Sequence, residues 1–207
     1  MKQSIFVILM LAFLSIMPAA AQSNFWDLCK TGTPVQIQDA IETGADVQDR
    51  DEDGWTPLMA ATLNFNPEVL AVLLKAGATI KARDNDGRTA LMLAARYGKS
   101  PDMATLLLQA GAGLNDRDRS GWTPVLFAAL NENSGVVATL LREGASVTDQ
   151  DSDGWTLAII AAQNPDPDVM RIILNAGAKD NDGMTALAYA LENEYLKDSV
   201  VLTALGK

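Results

Sequence analysis

The chain has 207 residues, 48% of them hydrophobic, carries a formal net charge of −10 and contains no histidine. That apolar content can fill one sizeable core and argues against a disordered chain, while the acidic balance disfavours nucleic acid and anionic lipid as general partners. The missing histidine removes the commonest general base and the commonest zinc ligand together.

Residues 1–21, MKQSIFVILMLAFLSIMPAAA, open with Lys2, run apolar from Ile5 to Met17, break at Pro18 and end in small residues. This pattern predicts a secretory signal peptide cleaved after Ala21, with Ala19 and Ala21 at the small-residue positions. The apolar run of 13 residues is short for a membrane anchor, which needs about 20. No Cys stands at the junction, so a lipoprotein anchor is not expected. The short basic start and Ala-rich end look bacterial, which makes the periplasm the expected location, with full secretion the alternative. Loss of Lys2 leaves the mature chain at −11.

The mature chain keeps one cysteine, Cys29, in Phe25-Trp26-Asp27-Leu28-Cys29-Lys30. A lone Cys cannot staple a fold, and its setting predicts a small buried hydrophobe in a first helix, with Lys30 alone nearby to lower its pKa. An odd Cys in an exported protein also leaves a redox or intermolecular role open.

From there the chain repeats itself. A Gly followed two residues later by Thr occurs at Gly54, Gly87, Gly121, Gly154 and Gly183, in steps of 33, 34, 33 and 29 residues, and Gly-Ala pairs stand at Gly44, Gly77, Gly111, Gly144 and Gly177. Such self-similarity predicts an array of about six units, roughly 24–53, 54–86, 87–120, 121–153, 154–182 and 183–207. The period, the run Thr56-Pro57-Leu58 and the pair Ala60-Ala61 resemble the ankyrin repeat, and Thr89-Ala90-Leu91, Thr123-Pro124-Val125, Thr156-Leu157-Ala158 and Thr185-Ala186-Leu187 are its variants. The resemblance covers nearly the whole chain after residue 24 and implies an all-α solenoid of helix-turn-helix units joined by β-turn or hairpin loops, with atypical caps at both ends.

The helix pairs follow from their punctuation. Second helices are predicted to start at Thr33-Pro34, Asn66-Pro67, Asn133-Ser134, Ser100-Pro101 and Asp166-Pro167, where a side-chain oxygen satisfies an orphan amide and Pro loses nothing at the first helical position. Branched or large apolar stripes, such as Val69, Leu70, Val72, Leu73 and Leu74, or Val136, Val137, Leu140 and Leu141, mark the buried faces. First helices carry alanine instead: Ala60 and Ala61, Ala94 and Ala95, Ala128 and Ala129, Ala161 and Ala162. Small residues let first helices approach more closely than second helices, so the stack is expected to curve and to present a concave binding face.

Two departures from the family pattern stand out. The His that follows Thr-Pro-Leu is replaced by Met59, Met92, Leu126, Ile159 and Ala188, so its hydrogen bond is expected to be lost and apolar contact to substitute. The last linker, Gly177 to Gly183, is shorter than its counterparts, and residues 184–205 read as a C-terminal cap whose Glu192, Asn193, Glu194, Lys197 and Asp198 supply a polar outer surface.

Asp49-Arg50-Asp51-Glu52-Asp53-Gly54 and Asp149-Gln150-Asp151-Ser152-Asp153-Gly154 match the opening of an EF-hand loop, but its twelfth-position Glu falls on Ala60 or Ile160. Turn formation explains these acids better. No Ser-x-x-Lys or Gly-x-Ser-x-Gly context supports a nucleophile, and acid pairs at solvated tips are poor general acids. No enzyme, cofactor or metal site is predicted.

The resemblance instead implies a protein-binding module, expected to be monomeric, without nucleic acid and without membrane in its mature form. The family's variable positions, the hairpin tip, the residue between Gly and Thr and the end of the first helix, fall on Glu52, Trp55, Leu63 and Asn64 in unit two. They fall on Asn85, Arg88, Arg96 and Tyr97 in unit three, on Arg119, Trp122, Leu130 and Asn131 in unit four, and on Ser152, Trp155, Gln163 and Asn164 in unit five. Trp55, Trp122 and Trp155 form a ladder that either meets a partner or packs over adjacent hairpins. Arg83, Arg88, Arg96, Arg117 and Arg119 suggest a basic centre on an acidic chain, which suits a partner with an acidic feature. A protein that protects or inhibits a particular enzyme, or a calcium-dependent module built on the acidic turns, are the other readings.

Overall fold

The computed structural model describes residues 19–177, with side chains from residue 25. Residues 1–18 of the signal peptide assigned to 1–21, the short linker beyond Gly177 and the C-terminal cap from residue 183, with Ala188, Glu192, Asn193, Glu194, Lys197 and Asp198, lie outside the described residues.

Ten helices occur among the described residues, in five pairs: α1 (Ala19–Thr31) with α2 (Pro34–Glu42), α3 (Pro57–Ala61) with α4 (Glu68–Lys75), α5 (Ala90–Tyr97) with α6 (Pro101–Gln109), α7 (Pro124–Ala128) with α8 (Ser134–Arg142), and α9 (Leu157–Ala161) with α10 (Pro167–Asn175). First helices stack in the row α1, α3, α5, α7, α9, and second helices in the row α2, α4, α6, α8, α10. The architecture is the all-α repeat solenoid that the resemblance implies. The helix α1 runs through the Ala21–Gln22 junction.

Helix starts are fixed by their caps. Thr33 and Gln36 form a reciprocal capping box, with the Thr33 hydroxyl accepting from the Gln36 N–H at 3.3 Å and Gln36 Oε1 accepting from the Thr33 N–H at 2.9 Å. Where the family His is missing, the Met59 and Met92 sulfurs each accept the N–H of Thr56 and Thr89 at 3.4 Å. The hydrogen bond is therefore replaced as well as the apolar contact, because a thioether three residues on reaches back over the first turn. Leu126 offers no such acceptor, and the buried Thr123 hydroxyl has no partner among the described residues. At second helices the side chains of Asn66, Ser100, Asn133 and Asp166 cap the N–H groups of Glu68, Asp102, Gly135 and Asp168 at 2.9, 3.1, 3.0 and 2.9 Å.

The core follows the two apolar patterns. Ala60, Ala61, Ala94, Ala95, Ala128, Ala129, Ala161 and Ala162 are buried between first helices, while Val69, Leu70, Leu73, Met103, Leu107, Val136, Val137, Leu140, Val169, Met170 and Ile173 fill the layer between the two rows. The outermost stripe members Val72, Leu74 and Leu141 are half-buried.

Candidate functional site

The hairpin tips are built by one repeated Asp. Counting each tip with the helix pair that follows it, as units two to five, Oδ1 of Asp51, Asp84, Asp118 and Asp151 accepts the N–H groups two and four residues on, at 2.8 to 3.0 Å. The turn formed this way lets successive tips bond through their backbones: the N–H groups of Asn85, Arg119 and Ser152 donate to the carbonyls of Asp53, Asp86 and Ser120 at 2.9 Å. The acids that resemble a calcium loop thus hold the turns, and the twelfth positions, Ala60 and Ile160, are buried.

A second ladder consumes arginines. Nη1 of Arg50, Arg83 and Arg117 each donates to a carbonyl in its own turn (Gly54, Gly87, Gly121) and to one in the next unit (Arg83, Arg117, Gln150), at 2.7 to 2.9 Å. Arg83 and Arg117 also pair with Asp116 and Asp149 at 3.1 and 3.0 Å. Arg96 donates to the Leu130 carbonyl at 3.1 Å and lies over the Tyr97 ring. Arg88 reaches Asp84 through Nε and Asp86 through Nη2, both at 2.7 Å. Burial lowers its pKa, but the hydrogen bond and the charges of Asp84 and Asp86 outweigh this and hold it above the ordinary value. Of the five arginines read as a basic centre, only Arg119 has a guanidinium without a hydrogen bond or ion pair among the described residues. Most of the guanidinium donors of this basic centre are engaged within the fold, because carbonyls at stacked turns need donors, although Arg83 and Arg117 stay exposed at 41% and 47%.

Asn64, Asn131 and Asn164 are also not partner-facing. They are 4%, 7% and 5% exposed, and each side-chain amide donates to two carbonyls of the preceding unit: Cys29 and Gly32, Ala95 and Gly98, Ala129 and Asn131. Each side-chain oxygen accepts the N–H two residues on, in Asn66, Asn133 and Asp166. The end of a first helix looks solvent-facing in one unit, but the preceding unit closes over it. The recurrence of Asn at one phase was the available signal.

Two adjoining clefts remain open on this side of the stack. The first, of about 440 Å³, lies between Asp86 and Arg88 of unit three and Asp118, Arg119, Ser120, Trp122, Phe127 and Leu130 of unit four. The second, of about 410 Å³, shares Ser120, Trp122 and Leu130 and adds Asp151, Asp153, Trp155, Ile160 and Gln163. Trp122 leans on Phe127 with ring centroids 5.1 Å apart, which fixes the wall between the two.

Six of the residues expected from the sequence, Arg88, Arg119, Trp122, Leu130, Trp155 and Gln163, therefore line one continuous surface. Ser152 stands at the neighbouring tip. Glu52 and Asn85 are joined in a tip-to-tip bond, Asn85 Nδ2 donating to the Glu52 carbonyl at 2.9 Å, while Trp55 and Leu63 in unit two and Arg96 and Tyr97 at the end of α5 line neither cleft. Within the Trp ladder, Trp55 and Trp122 pack on the core, whereas Trp155 is 44% exposed.

The family model described as Ankyrin repeats (3 copies) matches residues 19–118, 81–151 and 125–203. The chain belongs to the ankyrin-repeat family. A search of curated proteins finds no match. Ankyrin repeats generally mediate protein–protein interaction and are typically non-catalytic, and the clefts of this ankyrin-repeat protein lie across its stacked hairpin tips and the ends of its first helices.

Proposed function

We propose that this chain is an exported, non-catalytic binding protein that engages a protein partner in the periplasm through the surface over units three to five. The observation that carries the reading is the pair of adjoining clefts, where Trp122, Trp155 and Arg119 stay available beside turns whose backbones are bonded within the fold. Trp and Arg are the side chains that dominate binding energy at interfaces, and here turns and stacked helices hold their backbones. Little ordering entropy is then lost on association. The leader-like residues 1–21 support export, and the absence of His supports recognition in preference to catalysis.

The test is affinity capture from a periplasmic extract with the mature chain, beside the double variant Arg119→Ala/Trp122→Ala, whose folding is checked by its melting curve. A partner held at stoichiometric levels by the native chain and lost by the folded variant is the expected outcome. A partner held equally by both would move recognition off this surface. A captured enzyme whose activity changes on binding would refine the role to protection or inhibition.

A further inference from the structure

The second cleft resembles a site that unit three has already filled for itself. Unit three reads Asp84-Asn85-Asp86-Gly87-Arg88 and unit five reads Asp151-Ser152-Asp153-Gly154-Trp155. In unit three the Asp84 side chain is fully buried, and both acids receive the Arg88 guanidinium at 2.7 Å. In unit five the same turn places Asp151 at 9% exposure, its Oδ1 accepting from the N–H groups of Asp153 and Trp155, while Oδ2 and the Asp153 carboxylate have no partner among the described residues. The position of Arg88 is taken by Trp155, an aromatic face in place of a cation.

Around this acid pair stand features that suit a flat cation. Trp122 and Trp155 both line the cleft, Gln163 offers an unengaged amide oxygen, and Leu130 and Ile160 supply apolar floor for a methylene stem. A guanidinium stacks on indole and pairs with carboxylates through a planar fork. The chain's charge of −10 draws a cationic partner toward it.

We propose that the cleft bounded by Asp151, Asp153, Trp122 and Trp155 receives an arginine side chain of the protein partner, in the place that Arg88 occupies for Asp84 and Asp86. This rests on the binding surface proposed above and names the chemistry that it reads. It also reverses the sign suggested by the sequence: the open cleft asks for a cation.

The test uses N-acetyl-arginine amide as probe and the mature chain with its indole N–H resonances assigned by NMR. Saturable shifts of the Trp122 and Trp155 indoles are expected, with N-acetyl-citrulline amide, the neutral isostere, binding about fivefold or more weakly, as loss of a cation–π contact and an ion pair requires. Asp151→Asn/Asp153→Asn, which keeps the turn acceptor, is expected to weaken the arginine probe to the same degree. Trp155→Arg supplies the guanidinium from within, as unit three does, so it is expected to stay folded and to lose the probe. Equal binding of citrulline, retention of the probe by Trp155→Arg, or no indole shift with the arginine probe overturns the proposal. With a captured partner the two readings separate. A partner lost by Arg119→Ala/Trp122→Ala but kept by Trp155→Arg leaves the surface and removes the arginine, and one kept by both removes the surface too.

Discussion

Cys29 shows how burial decides the behaviour of one side chain. It is fully buried in α1, and desolvation pushes its thiol up to about 12 from 9.0, with Lys30 opposing weakly. The native thiol keeps its proton where an unfolded one loses it, so its contribution is present below pH 9 and is lost as pH rises from 9.0 toward about 12. Unfolding free energy of the native chain is expected to fall more steeply than that of Cys29→Ala across this window, by up to about 1.4 kcal/mol per pH unit. The native thiol should also resist an aromatic disulfide reagent until the chain unfolds. Parallel stability profiles, or rapid labelling of the folded protein, would contradict this account. The sequence showed Cys29 as a small hydrophobe because its neighbours Phe25 and Trp26 are apolar. It did not show Asn64, Asn131 and Asn164 as buried, because their partners are carbonyls 32 to 36 residues earlier, a relation absent from any local window.

At the level of the element, what was legible was what local rules govern. Caps, Pro positions, alanine faces and turn glycines each obey a rule within a few residues, and their phase supplied the rest. That Arg83 and Arg117 clamp the next tip was not legible, because a cation free at a tip is indistinguishable in sequence from one that bonds the neighbouring turn. The turn glycines separate two effects that sequence merges. Gly121 and Gly144 both have positive φ, +81° and +98°, so alanine at either costs about 1 kcal/mol of backbone strain. A Cβ on Gly121 would also stand 2.8 Å from Ser152 Oγ and 2.9 Å from its backbone N, whereas one on Gly144 meets nothing within 4 Å. Gly121→Ala is therefore expected to destabilise the chain by roughly twice as much as Gly144→Ala in urea unfolding, since overpacking adds to strain. Equal losses would show that the stacked tips yield freely.

At the scale of the molecule, stability is a chain of interfaces between neighbours. The interface between units three and four is held by Arg83 to the Arg117 carbonyl, the Arg119 N–H to the Asp86 carbonyl, Arg96 to the Leu130 carbonyl, and Asn131 to the carbonyls of Ala95 and Gly98. Asn131 is the deepest of these polar ties, and its removal strands two buried carbonyls at about 1–3 kcal/mol each. The core alanines of α5 and α7 still pack, so Asn131→Ala weakens the coupling and leaves each side its own core. Trp26 and Trp55 lie before this interface, Trp122 and Trp155 after it, so the chain carries reporters on both sides. In the native background, Trp26→Phe/Trp55→Phe and Trp122→Phe/Trp155→Phe are expected to report urea midpoints as close to each other as the replaced rings allow. With Asn131→Ala added, the midpoints should separate further, the weaker side unfolding first while circular dichroism shows two steps. A single transition at lower urea in both backgrounds would mean that the apolar rows alone enforce cooperativity, with the asparagine contributing stability but no coupling.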